Sequence, residues 1–597
     1  MTHHGSAGAN EALPEWDLSD LYPATDCPQL DRDLTEVATA AKAFETRFAG
    51  RLAGLDSAGF AAAIIEYERI GEVFGRILSY AQLHYAGDVA DAARGRFMQG
   101  MQERVTDIST HTLFFTLEIN RLDDATLDRL LTDPAAARYA PWLRDLRVFR
   151  AHQLSDELEK MLHDLHVCGT AAWHRLFEET IARLRFPVGG AELTSAEALN
   201  LLSAPDRAKR AEAGHALGQV LADNAPLFTL ITNTLAKEKE VDDRWRAYPR
   251  PQSFRNLANQ VEDGVVDALV AAVKDNYAHT AHRYYAMKAK WLGLDKLSHW
   301  DRNAPLPGDD DRLYSWDEAR GLVLDAYGAF SPELAALGRR FFDNPWIDVP
   351  TRPGKSPGAF AHPTVPSAHP YLLLNYMGRS RDVMTLAHEL GHGVHQLLAA
   401  GQGPLLSDTP LTLAETASVF GEMLTFRALL DRETDPARRR ILLAGKVEDM
   451  LNTVVRQIAF YDFESRVHQE RREIGELAPE RIAGIWRAVQ TESLGPAFDF
   501  DASYDYFWTY ISHFIHTPFY VYAYAFGDCL VNSLYSTYQG GTIPDFQARY
   551  LDLLRAGGTL RHRELLAPFG LDASDPAFWS RGLGLLTGFI DELERAG

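Results

Sequence analysis

The segment FAAAIIEYERIGEVFGRILSYAQLHYAG (60–87) repeats apolar residues at three- and four-residue spacing over its whole length and contains no proline. That pattern predicts a long helix burying one face. Segments of the same texture follow at about 90–119, 206–220, 224–245, 262–292, 315–330, 411–430, 433–473 and 502–534. Runs of alternating residues joined by hairpin turns, which would build a large sheet, are missing, and no repeat of fixed period is visible. A mostly all-α fold with a small β element is expected. At 597 residues the chain exceeds one simple core, so more than one structural unit is expected.

Two stretches break the helical texture. DRNAPLPGDDDR (301–312) is a turn cluster, and VPTRPGKSPGAFAHPTVPSAHP (349–370) is rich in proline and glycine. The apolar run YLLLNYMG (371–378) follows directly, so 349–378 reads as loops with one or two strands. A looser break at RFPVGGAELT (185–194) suggests an N-terminal helical domain over 1–190 and a second domain over 191–597.

Charge and cysteine content narrow the function classes. A formal charge of −22 argues against a nucleic-acid or anionic-membrane surface, which needs clustered Lys and Arg. Cys27, Cys168 and Cys529 are far apart, so neither a disulfide framework nor a cysteine zinc site is expected. No signal peptide and no 18-residue apolar run is visible. His3 and His4 read as part of a disordered tail. The expectation is a soluble cytoplasmic protein whose oligomeric state the sequence leaves open.

The stretch TLAHELGHGVHQ (385–396) carries the chemistry. His388, Glu389 and His392 fit H-E-x-x-H, and histidines four apart project from one helical face, where both can reach a single ion. Glu389 is placed to reach a water on that ion. Asp382 is the expected N-cap of a helix over about 383–400. A catalytic zinc needs a third protein ligand and an open position. LTLAETASVFGEML (411–424) offers Glu415 and Glu422, seven apart on one face of an otherwise apolar segment. One can ligate while the other holds an imidazole from behind. His395 is either a further supporting group or a capped or solvent-facing histidine.

A second aromatic stretch, WTYISHFIHTPFYVYAYAFGD (508–528), would bring His513, Tyr520 and Tyr524 onto one stripe if it is helical, with Tyr522 pointing away. Such a stripe can be ordinary core, or it can donate hydrogen bonds to a developing oxyanion. Pro518 threatens the helix with a kink.

These residues resemble the thimet-oligopeptidase-like zinc metallopeptidases, most closely the oligoendopeptidase F branch, over nearly the whole chain. WDLSDLYP (16–23), GAF (358–360), PYLLLNYMG (370–378), DVMTLAHELGHGVHQ (382–396), LAETASVFGE (413–422), TVVRQIAFYDFESRVHQE (453–470) and HFIHTPFYVYAYAFG (513–527) carry it in order. The resemblance implies one Zn²⁺ held by His388, His392 and Glu415, with Glu389 as base and Glu422 behind the ligands. It favours His513, with His516 as a rival, together with Tyr524 and Tyr520 as substrate-facing groups. It also implies an elongated helical body split by a deep channel, with GAF in an edge strand able to pair with an extended peptide.

The expected activity is zinc-dependent hydrolysis of internal bonds in short oligopeptides. The rivals are a zinc exopeptidase, of dipeptidyl-carboxypeptidase or aminopeptidase type, a peptide-binding protein without turnover, and a structural zinc site. The last usually closes with four protein ligands.

Overall fold

The computed structural model describes residues 13–596 apart from residue 167 and residues 309–311. His3, His4 and part of the 301–312 turn cluster lie outside the described residues. The fold is mostly helical with small sheets, as the periodicity predicts.

The long N-terminal helix spans Ser57–Ala86, and the Asp56 carboxylate caps it by accepting from the Gly59 amide at 2.8 Å. Its first half sends Phe60, Ile64 and Ile70 into a small core with Phe44, Phe115 and Leu143. Its second half sends Ile77, Tyr80 and Leu83 into the principal core, which continues to Leu593. One helix therefore ties the two cores together. The proposed boundary near 190 falls in a two-stranded hairpin, Phe186–Val188 against Ala191–Leu193.

The proline-rich stretch forms part of a three-stranded sheet. Tyr371–Leu373 lies in the middle, parallel to Ile347–Asp348 and antiparallel to Phe360–His362. Phe360–His362 is thus an outer strand, with the GAF segment leading into it. The motif helix follows at Ser380–Ala399, one turn earlier than expected. Asp382 is not its N-cap but its third residue, and its carboxylate accepts from the amides of Met377 and Arg379 at 2.9 Å each.

Leu411–Arg432 packs directly across the motif helix. A Cβ at Gly391 would lie 2.5 Å from the Ala417 carbonyl oxygen, so only glycine permits this crossing. Tyr522–Gln539 packs on Leu411–Arg432 in turn, and a Cβ at Gly527 would lie 3.0 Å from Cβ of Glu415.

Four expected helices are interrupted, the first of them at 90–119, which splits into Ala92–Ser109 and Leu113–Arg121. Residues 262–292 split into Asp263–Asp275 and Ala281–Trp291. Residues 433–473 divide into Pro436–Met450 and Arg456–Ile474 around a π-turn at Leu451–Val455. Residues 502–534 are the largest departure. Short turns lead to a four-residue helix, His513–His516, and then a reversal through Phe519, where φ is +60°, before the next helix starts at Tyr522. The single stripe predicted for His513, Tyr520 and Tyr524 does not exist, because Pro518 removes an amide and Phe519 leaves the helical region.

Candidate active site

One turn of the motif helix separates His388 from His392, so their rings meet edge to face with centroids 4.9 Å apart. Glu415 reaches them from the crossing helix, its Oε2 standing 3.4 Å from Nε2 of His388 and 3.5 Å from Nε2 of His392. One donor atom from each of the three lies within 4.8 Å of the others. Their side chains are 26, 20 and 30% exposed, so the cluster opens to solvent on one side. Two imidazoles and a carboxylate are the donor set of a catalytic zinc, and three protein ligands leave a position for water.

The surroundings orient these groups. Ser418 donates to Glu415 Oε2 at 2.6 Å. Behind His388, Glu422 Oε2 lies 3.2 Å from Nδ1, which turns Nε2 toward Glu415. The other Glu422 oxygen accepts from Lys446 at 2.5 Å, and Lys446 is itself buried. Burial opposes the charge on Glu422, yet Lys446 and His388 hold its carboxyl down at about 2. Burial likewise opposes protonation of His388, but Glu422 and Glu415 outweigh it and push that ring up to about 9. A site this rich in negative charge favours a cation. Glu422→Ala is expected to weaken zinc binding about 10–100-fold, read by competition with a chromophoric chelator.

Glu389 is placed differently. It is 7% exposed, takes the Ala361 amide of the outer strand, and stands outside the three-residue cluster. Burial pushes its carboxyl up to about 7. His395 is neither solvent-facing nor in the cluster. It is buried, bonds the Ala414 carbonyl, and is kept neutral by burial at about 4.

Although the predicted stripe is absent, its rings still meet. His513 Nε2 is 3.3 Å from the Tyr524 hydroxyl, and Tyr520 packs at 5.3 Å from Tyr524 and 6.1 Å from His513. Tyr524 lies one turn before Gly527, the residue pressed against Glu415, and it feels the charge of Glu415. His516 points elsewhere, 4.7 Å from the ring of His174 and 3.5 Å from Glu178. Tyr522 is buried and accepts from Asn259 at 3.0 Å.

Sequence reasoning missed Lys446 and Asp528. Asp528 is buried, accepts from Asn532 at 2.7 Å, and is pushed up to about 7 by that burial. Asp528 is a lone charge in the apolar helical run YAFGDCLVNSL, which is the signal that marks it, whereas Lys446 has Glu448 and Asp449 beside it in ILLAGKVEDML and carries no such signal.

A cavity of about 530 Å³ adjoins the cluster, reaching from His392 and Ala414 to Glu68 and Glu72 of the long N-terminal helix. Asp408 and Gln396 also line it, and no lysine or arginine does so among the described residues.

Residues 334–585 match the model of Peptidase family M3, and residues 118–186 match that of Oligopeptidase F. Oligopeptidase PepF of Bacillus subtilis is 24% identical, covering 98% of this chain and 87% of that one. Group B oligopeptidase PepB of Streptococcus agalactiae is 25% identical, over 97% and 96% of the two chains. The crystal structure of oligoendopeptidase-F from Enterococcus faecium superposes with a TM-score of 0.73 at 23% identity, covering 96% of this chain and 99% of that one, and so shows the fold. Together with the geometry of the cluster, these matches show that the chain belongs to peptidase family M3, in its oligoendopeptidase F branch, and is a peptide hydrolase.

Proposed function

We propose that the chain is a zinc-dependent endopeptidase that cleaves internal bonds of short oligopeptides. The convergence of His388, His392 and Glu415 while Glu389 stands apart, held by the outer strand, carries this reading. When bound, zinc would polarise the scissile carbonyl and make water more acidic. Glu389 takes the water's proton and delivers it to the leaving nitrogen. Tyr524, with His513 and Tyr520 beside it, donates to the oxyanion. The outer edge of Phe360–His362, beyond the Ala361 amide that Glu389 already holds, offers backbone groups to a peptide in extended form.

The chemistry of the cavity favours internal cleavage over carboxypeptidase action. Capture of a peptide's C-terminal carboxylate needs a cation, and the cavity beside the ligands offers Glu68, Glu72 and Asp408 instead. A binder without turnover would have no use for Glu389. The test is a set of peptides of one sequence with free, acetylated and amidated ends. Doubly blocked peptides are expected to be cut within about threefold of the free ones. A requirement for a free carboxylate or a free amine would replace this reading with an exopeptidase.

A further inference from the structure

His513 and Tyr524 sit on different helices, so their contact depends on the reversal between them. At its centre Phe519 is fully buried between Tyr461 and His468, with φ at +60°. A bulky side chain keeps left-handed backbone only where its surroundings impose it. Here the imposition is on a single peptide unit. The Pro518 carbonyl accepts from Arg255 Nε at 3.3 Å, and the Phe519 amide donates to Glu464 Oε1 at 3.0 Å. Both ends of the plane that defines φ of Phe519 are therefore held by residues distant in sequence. The Arg255 guanidinium also lies 5.8 Å from the centre of the Tyr520 ring.

Glu464 serves no other evident purpose. It is 2% exposed, and its Oε2 has no hydrogen-bond partner among the described residues. Burial pushes its carboxyl up to about 8, partly offset by the Phe519 amide and Arg255. A buried carboxyl with one oxygen unpaired weakens a core, and its hydrogen bond to Phe519 is what it supplies in return.

We propose that Glu464, with Arg255, is a positioning residue for the oxyanion-binding rings: it locks the 518–519 peptide plane and thereby sets His513 and Tyr520 against Tyr524. The inference rests on the role given to those rings above. Glu464→Gln keeps an acceptor for the Phe519 amide, whereas Glu464→Leu removes it at similar volume. On a doubly blocked quenched peptide, Glu464→Leu is expected to lower kcat about 30-fold or more, with KM and zinc stoichiometry unchanged, and Glu464→Gln to stay within about threefold of the parent. In a Tyr524→Phe background, Glu464→Leu should cost less than about threefold further, because the hydroxyl against which it sets those rings is already gone. Equal losses for Gln and Leu, an unchanged kcat for Leu, or losses that multiply in the double variant would overturn the proposal. If Glu464→Leu does not fold, Arg255→Met enters the same cycle with the same expectations. A parent enzyme that cleaves nothing would instead refute the endopeptidase reading itself.

Discussion

Glu389→Gln is expected to bind zinc as the parent does and to cleave peptide about 10²–10⁴-fold more slowly. The carboxamide has the shape of the carboxylate and still offers an oxygen to the Ala361 amide, so the outer strand and motif helix keep their places. It cannot accept a proton. Because Glu389 stands outside the ligand cluster, metal content should not change. Burial, aided by the charge of Glu415 and opposed by His388 and the Ala361 amide, lifts the Glu389 carboxyl to about 7, where proton transfer in both directions is feasible. The readouts are kcat/KM on a quenched peptide and bound zinc per chain. Turnover within tenfold of the parent would remove Glu389 from the role of base.

Tyr524→Phe is expected to lower kcat about 10²–10³-fold, by analogy with loss of one donor from a protease oxyanion hole. The ring would keep its contact with Tyr520 at 5.3 Å, so the change removes a hydroxyl and little packing. That hydroxyl is a dependable donor at neutral pH, since burial and the adjacent Tyr520 push its pKa up to about 12. Its partner charge develops only in the transition state, so KM should move little. A raised KM with unchanged kcat would make Tyr524 a substrate-binding group instead.

The metal cluster is legible in the sequence because it is built from helical spacings. His388 and His392 are four apart, and Glu415 and Glu422 seven apart, so each pair shares a face before any tertiary contact is known. The glycine at 391 sits inside the motif, and its reason appears only in the structure, where Ala417 of the crossing helix fills the space of its side chain. The aromatic site is legible in membership but not in geometry. A helical period places His513, Tyr520 and Tyr524 on one stripe without telling core from site, the resemblance is what favours them as substrate-facing, and they meet through a reversal that breaks that period. Pro518 hints at the break. The left-handed Phe519 does not show in local sequence, because it is imposed by Glu464, 55 positions away, and by Arg255. Lys446 belongs to the same class: Glu448 and Asp449 follow it closely in the chain, so neither its burial nor its partner Glu422 shows in local sequence.

The most direct test of the account is hydrolysis of an internally quenched oligopeptide, blocked at both ends, by the purified chain before chelation, after it, and after one equivalent of zinc is returned. Cleavage that disappears with the metal and returns with zinc is the predicted result. Undiminished cleavage by the fully chelated chain would contradict a catalytic metal centre at His388, His392 and Glu415.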